Sequence, residues 1–138
     1  MRMPGYRVSQ VKKVPSSREI VLHEQVADLL TDHANPFWQW THFPAGEKRS
    51  KATGAKLKRM GLQPGWPDFQ LICPNTRIIH FLEIKRIGED LNDNQIRFQS
   101  WCGATGVPHG VAQTIDEVLE IFWDWDCIAI RSNRVEPS

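Results

Sequence analysis

Hydrophobic positions along this chain follow two kinds of spacing, and the switches between them mark its elements. Across residues 16–32, Leu22, Val26, Leu29 and Leu30 recur at helical intervals and predict an amphipathic helix with one buried stripe. Ser16 with Glu19 three residues on is a capping-box pattern at its start. At about 100° per residue, Glu19 and His23 fall near the centre of that stripe, and Glu24 falls well outside it. Asn35-Pro36 ends the helix. Residues 37–43 (FWQWTHF) alternate bulky and polar side chains as a strand does, with Trp38 and Trp40 on one side, read as core, base stacking being the other role open to them. Residues 51–60 predict a short helix with Leu57 and Met60 buried.

Two apolar, β-branched or aromatic runs then follow, residues 69–73 and 78–85, joined by Pro74-Asn75-Thr76-Arg77. That is the pattern of a β-hairpin. Asn92 with Gln95 is a second capping box, opening a helix to about Ala104 with Ile96, Phe98, Trp101 and Cys102 as its apolar residues. Residues 106–112 read as a short strand, parallel to the 78–85 strand because a helix crosses between them. Thr114 with Glu117 caps a helix over residues 115–123, with Val118, Leu119 and Phe122 inward and Glu120, Asp124 and Asp126 at the surface. Residues 127–130 predict an edge strand. The order of elements predicts an α/β fold with a mixed central sheet flanked by helices.

The hairpin also concentrates chemistry. Strand side chains alternate faces, so Glu83 and Lys85 point one way while Leu82 and Ile84 point the other. Asp68 opens the preceding strand, where antiparallel pairing brings it level with Glu83. Two carboxylates and an ammonium on one spot suit a hard divalent cation such as Mg²⁺, which takes one or two carboxylates plus water and substrate phosphate. Gly61, Pro64, Gly65 and Pro67 shape the loop that delivers Asp68.

Composition changes this picture in three places. A chain of 138 residues with 41% hydrophobic and 24% charged content is expected to form one globular domain over residues 16–130, with a basic arm at 1–15 and a tail at 131–138. The net charge of +1 hides an asymmetry: residues 1–64 hold eleven Lys/Arg against five Asp/Glu, and residues 65–138 hold six against eleven. Lys48, Arg49, Lys51, Lys56, Lys58 and Arg59 crowd one stretch with Glu47 the one acid among them, a density that suits phosphate tracking better than a merely solvated face. Cys73, Cys102 and Cys127 are scattered and odd in number, against both a disulfide framework and a zinc site. With no signal peptide or membrane-spanning run, a cytoplasmic protein without membrane contact is expected.

Pro67-Asp68, fourteen residues, then Glu83-Ile84-Lys85 resembles the PD-(D/E)XK nuclease motif. The surroundings narrow the resemblance. Gly46-Glu47-Lys48-Arg49-Ser50, Lys56-Leu57-Lys58-Arg59-Met60-Gly61-Leu62, Pro64-Gly65-Trp66-Pro67-Asp68 and Glu83-Ile84-Lys85-Arg86 are similar to the VRR-NUC (virus-type replication-repair nuclease) branch, over residues 19–123. An isolated E-x-K is weak evidence; with the G-x-P-D arm, the basic segment and the downstream glutamine it becomes specific.

The resemblance implies a restriction-endonuclease-like core and a metal-dependent DNA nuclease, acting on branched DNA such as flaps or four-way junctions in replication or repair. It implies Mg²⁺ or Mn²⁺ held by Asp68, Glu83 and the main-chain carbonyl of Ile84, joined by a first-helix glutamate. Glu19, heading Glu-Ile-Val-Leu-His, matches that place better than Glu24, the fallback. Lys85 would orient or deprotonate the attacking water and offset developing charge. Gln95 would lie against the active site as well as cap its helix. Arg86 joins the phosphate-contacting set, and His42 is a further contact candidate. A bacterial or viral homodimer is the implied assembly. A non-catalytic DNA-binding module and a restriction-type, sequence-specific endonuclease are the competing readings. The intact Asp68, Glu83 and Lys85 weigh against the first, and the short chain weighs against the second.

Overall fold

The computed structural model describes residues 15–44 and 50–129, with side chains from Glu19 onward. Residues 1–14, the tail, Lys48 and Arg49 lie outside the described residues. The Ser16 capping box needs correction, because the backbone is already helical at Pro15 and Ser16 lies within α1 rather than at its N-cap. Four helices and four strands follow in the order α1 (Pro15–His33), β1 (Gln39–His42), α2 (Lys51–Arg59), β2 (Phe69–Ile72), β3 (Ile79–Ile84), α3 (Asp93–Thr105), β4 (His109–Ala112) and α4 (Ile115–Trp125). They form a small α/β fold with a mixed sheet of order β1-β2-β3-β4. β1, β2 and β3 pair antiparallel, and β4 joins β3 in parallel after the α3 crossover. Among the described residues no helix is long and apolar enough to cross a membrane.

Strand alternation sorts the sheet into two faces. Phe69, Leu71, Leu82 and Ile84 point to one, where Leu22, Val26 and Leu30 of α1 and Val118 and Phe122 of α4 close over them. All are buried, so the stripes read from helical spacing are the ones packed, with Leu29 and Leu119 at the margin. At about 25 cal/mol per Å² of apolar surface, this shared core is the main stabilising element. Phe81, Glu83 and Lys85 point to the opposite face, where Phe98 of α3 meets Phe81 edge-on at 4.9 Å between ring centroids and Trp66 at 5.0 Å. Trp38 and Trp40 pack against His80 and Phe69, as core residues do.

Several expectations need correction. Met60 is 73% exposed, because α2 ends at Arg59 and Met60 caps it outside the helical stripe; no residue of α2 is buried. Ile96 is exposed and Trp101, 53% exposed, sits at the edge of a groove with Phe98 and Trp66, leaving Cys102 as the buried residue of α3 and Phe98 half-buried. Residues 127–129 do not extend the sheet. Ile128 makes one isolated bridge with Ala34, and the Asn35 and Ala129 amides donate to the Cys127 and His33 carbonyls. Cys127 and Ile128 are apolar because they seal the end of α1, a role that imitates a strand in sequence.

Candidate active site

Two elements fix the hairpin's carboxylates. The pairing of Phe69 with Leu82 places Asp68 opposite Glu83, one step beyond the last β2 pair. There the Ile84 amide donates to Asp68 Oδ2 at 2.7 Å. The Asp68 carbonyl accepts from the Phe43 amide at 2.6 Å and meets His42 Nδ1 at 3.0 Å, so both ends of the residue are held. In an extended strand the N–H and C=O of one residue face the same neighbour, so the Ile84 carbonyl also turns toward the Asp68 side.

Glu83 is 4% exposed and Lys85 8%, unusual burial for charged side chains. Gln95 joins them. Its Nε2 donates to Glu83 Oε2 at 2.9 Å, and its Oε1 accepts from Lys85 Nζ at 3.2 Å. The same Oε1 accepts from the Asn92 amide at 2.9 Å, while Asn92 Oδ1 accepts from the Gln95 amide, which closes the capping box of α3. One side chain therefore caps a helix and spaces an acid from a base. Lys85 Nζ also lies 3.8 Å from Glu89 Oε1.

α1 brings Glu19 and His23 over the end of the sheet. His23 Nε2 is 3.8 Å from Asp68 Oδ2 and 3.9 Å from Glu19 Oε2. The His23 ring meets His42 edge-on at 5.2 Å and Phe69 at 5.8 Å. Glu19, rather than Glu24, reaches the hairpin carboxylates; Glu24 is exposed at the rim of the same cleft. The cleft, about 740 Å³, is lined by Glu19, His23, His42, Asp68, Glu83, Lys85 and Gln95 among others.

Crowding acids into one partly buried cleft has an electrostatic consequence. Burial, then the Asp68 carboxylate, pushes Glu83 up to about 9, with Lys85 pulling the other way. Asp68 is raised by burial, against the opposing pull of the Ile84 amide, His23, His42 and Lys85. Glu19 is raised by burial and then by Asp68 and Glu89. Three carboxyls that all resist ionisation, set around one cleft with carbonyl and imidazole donors, fit a divalent cation, which would hold them ionised. Among the described residues Glu19, His23 and Asp68 place one donor atom each within 4.8 Å of one another.

The phosphate-contact candidates are less gathered. Lys51, Lys56, Lys58 and Arg59 are all exposed on α2, and three of them occupy its last turn, where they also complement the helix dipole. Arg86 Nε lies 3.6 Å from Glu89 Oε1, so its charge is partly spent within the chain. His23 is the cleft residue that motif spacing passed over. Its one sequence signal is the Glu19–His23 spacing of four, which puts both on one helix face. No protein-family model, curated protein or solved structure matches this chain.

Proposed function

We propose that this chain is a metal-dependent DNA nuclease of the PD-(D/E)XK type, a VRR-NUC-like enzyme cleaving branched DNA in the cytoplasm of a bacterium or a host cell, as a homodimer. The observation that carries the reading is the convergence of Asp68, Glu83, Lys85 and Glu19 in one cleft, with Gln95 bonded to both Glu83 and Lys85. Mg²⁺ or Mn²⁺ would be held by Asp68, Glu83, the Ile84 carbonyl and Glu19, and would supply Lewis acidity and a more acidic water at neutral pH.

The chain's own groups divide the remaining work. Lys85, fixed by Gln95, orients the attacking water and offsets negative charge developing on the phosphoryl oxygens. Asp68, held through both its carboxylate and its carbonyl, keeps the donor set in register. Exposed cations of α2, with Lys48 and Arg49 before it, hold the flanking phosphates.

Cleavage of labelled duplex, flap and four-way-junction DNA with Mg²⁺ or Mn²⁺ tests the proposal. Wild type is expected to cut, preferring branched substrates, and to lose cleavage with EDTA and in Lys85→Ala. Binding of these DNAs without cleavage under either metal would replace the proposal with a non-catalytic DNA-binding module. Equal cutting of unbranched duplex at one sequence would point to a restriction-type enzyme.

A further inference from the structure

A histidine stands among the carboxylates at the α1 side of the cleft. His23 follows Glu19 by four residues, so both side chains leave the helix on one face. Its Nε2 lies 3.8 Å from Asp68 Oδ2 and 3.9 Å from Glu19 Oε2, too far for hydrogen bonds. Those separations lie between the roughly 3.0 Å of cis donors and the roughly 4.2 Å of trans donors on bonds of about 2.1 Å to one ion, so a small side-chain adjustment brings the atoms onto a single cation. The imidazole is wedged edge-on to His42 and against Phe69, so packing sets its direction. Mg²⁺ takes oxygen ligands in a near-ideal octahedron, whereas imidazole nitrogen suits transition-metal ions.

Resting on the metal-site reading above, we infer that His23 is a nitrogen ligand of that site and makes it selective for a transition-metal dication, Mn²⁺ over Mg²⁺. Glu19 and Asp68 supply the oxygens on either side of it. A histidine that served only as a positive counter-charge to Asp68 would behave in the opposite way. Its removal would strengthen binding of both cations.

Calorimetric titration of the metal-free full chain with MnCl₂ and MgCl₂ separates these cases. Wild type is expected to bind Mn²⁺ more tightly than Mg²⁺. His23→Ala should lose at least tenfold in Mn²⁺ affinity and change by less than about threefold for Mg²⁺. His23→Gln keeps bulk and offers an oxygen, so it should narrow the Mn²⁺/Mg²⁺ ratio even if the alanine variant packs poorly; circular dichroism in EDTA checks both folds. Equal losses for both ions, unchanged Mn²⁺ binding, or a gain for both would overturn the inference. Asp68→Asn distinguishes the underlying reading. If it weakens both metals while His23→Ala and His23→Gln change neither, the metal site stands and His23 is not its ligand. If wild type binds neither ion, both ideas fall.

Discussion

Burial and the neighbouring Asp68 carboxylate push Glu83 up to about 9, and the same forces raise Asp68 and Glu19. An acid raised on folding binds its proton more tightly in the native state. The stability this contributes is complete below the unfolded value, 4.5 for Glu83, and is lost as pH rises through about 9. The metal-free protein is therefore expected to melt at progressively lower temperature from pH 5 to pH 9. Glu83→Gln, a neutral isostere, should flatten that slope and exceed wild type by on the order of 2 kcal/mol at pH 8. A flat wild-type profile in thermal melts would sink this account. Gln95 separates two roles in the same way. Gln95→Ala leaves Asn92 as the α3 N-cap but removes the reciprocal bond to the Asn92 amide together with the bonds to Glu83 and Lys85, and should cost about 1 kcal/mol. Gln95→Glu preserves the capping box but sets a carboxylate against Glu83, so at pH 5 it should melt close to wild type while cleavage at pH 8 is lost. The proximity of Asp68, Glu83 and Lys85 was legible because a two-residue period and a hairpin register leave little freedom. The approach of His23 to Asp68 was not legible, since it depends on how α1 crosses the sheet.

At the scale of elements, local chemistry was the most readable part of the chain. Asn92 and Thr114 cap α3 and α4 as their side chains dictate, and the parallel placement of β4 follows from the crossover helix. Signals of apolarity alone were less reliable. Met60 and Trp101 are apolar yet exposed, and Cys127 and Ile128 are buried without belonging to the sheet, because burial is decided by which neighbours arrive. The loop before β2 is specified more tightly than its sequence suggests. Gly65 has φ of 91°, and a Cβ there would lie 2.5 Å from the Asn94 carbonyl oxygen and 2.6 Å from its carbon. The Asp68 loop is thereby seated directly on the first turn of α3, next to Gln95. Gly65→Ala should force the two apart and destabilise by about 2–4 kcal/mol in denaturant melts, combining left-handed backbone strain with overpacking. Gly54, inside α2 with open space where its Cβ would go, makes the contrast: Gly54→Ala should stabilise by about 0.5–1 kcal/mol. If both substitutions had the same effect, the seating of the loop on α3 would not be what Gly65 provides.

Among the described residues, Glu19, Asp68, Glu83 and Glu89 line the cleft around Lys85 while the cations of α2 stay in water. Pro44 and Asp68 both line the cleft, and α2 lies between them in sequence without contributing a lining residue. None of its residues is buried, which makes its cations separable from the fold. The triple change of Lys56, Lys58 and Arg59 to alanine should leave the melting temperature within a few degrees, since the weaker dipole complement at the last turn is offset by alanine's helix propensity. DNA affinity should fall, and so should its dependence on salt. A cation that neutralises a phosphate releases condensed counterions, so the slope of log affinity against log salt should shrink by roughly 0.9 for every duplex phosphate the variant no longer neutralises. The measurement is a salt series of binding isotherms for wild type and the triple variant on one junction substrate, without divalent metal so that no cleavage intervenes. A reduced slope assigns the α2 cations to phosphate. An unchanged slope with unchanged affinity would make them a solvated helix face and move the search for the DNA track to other basic segments, Lys48 and Arg49 first.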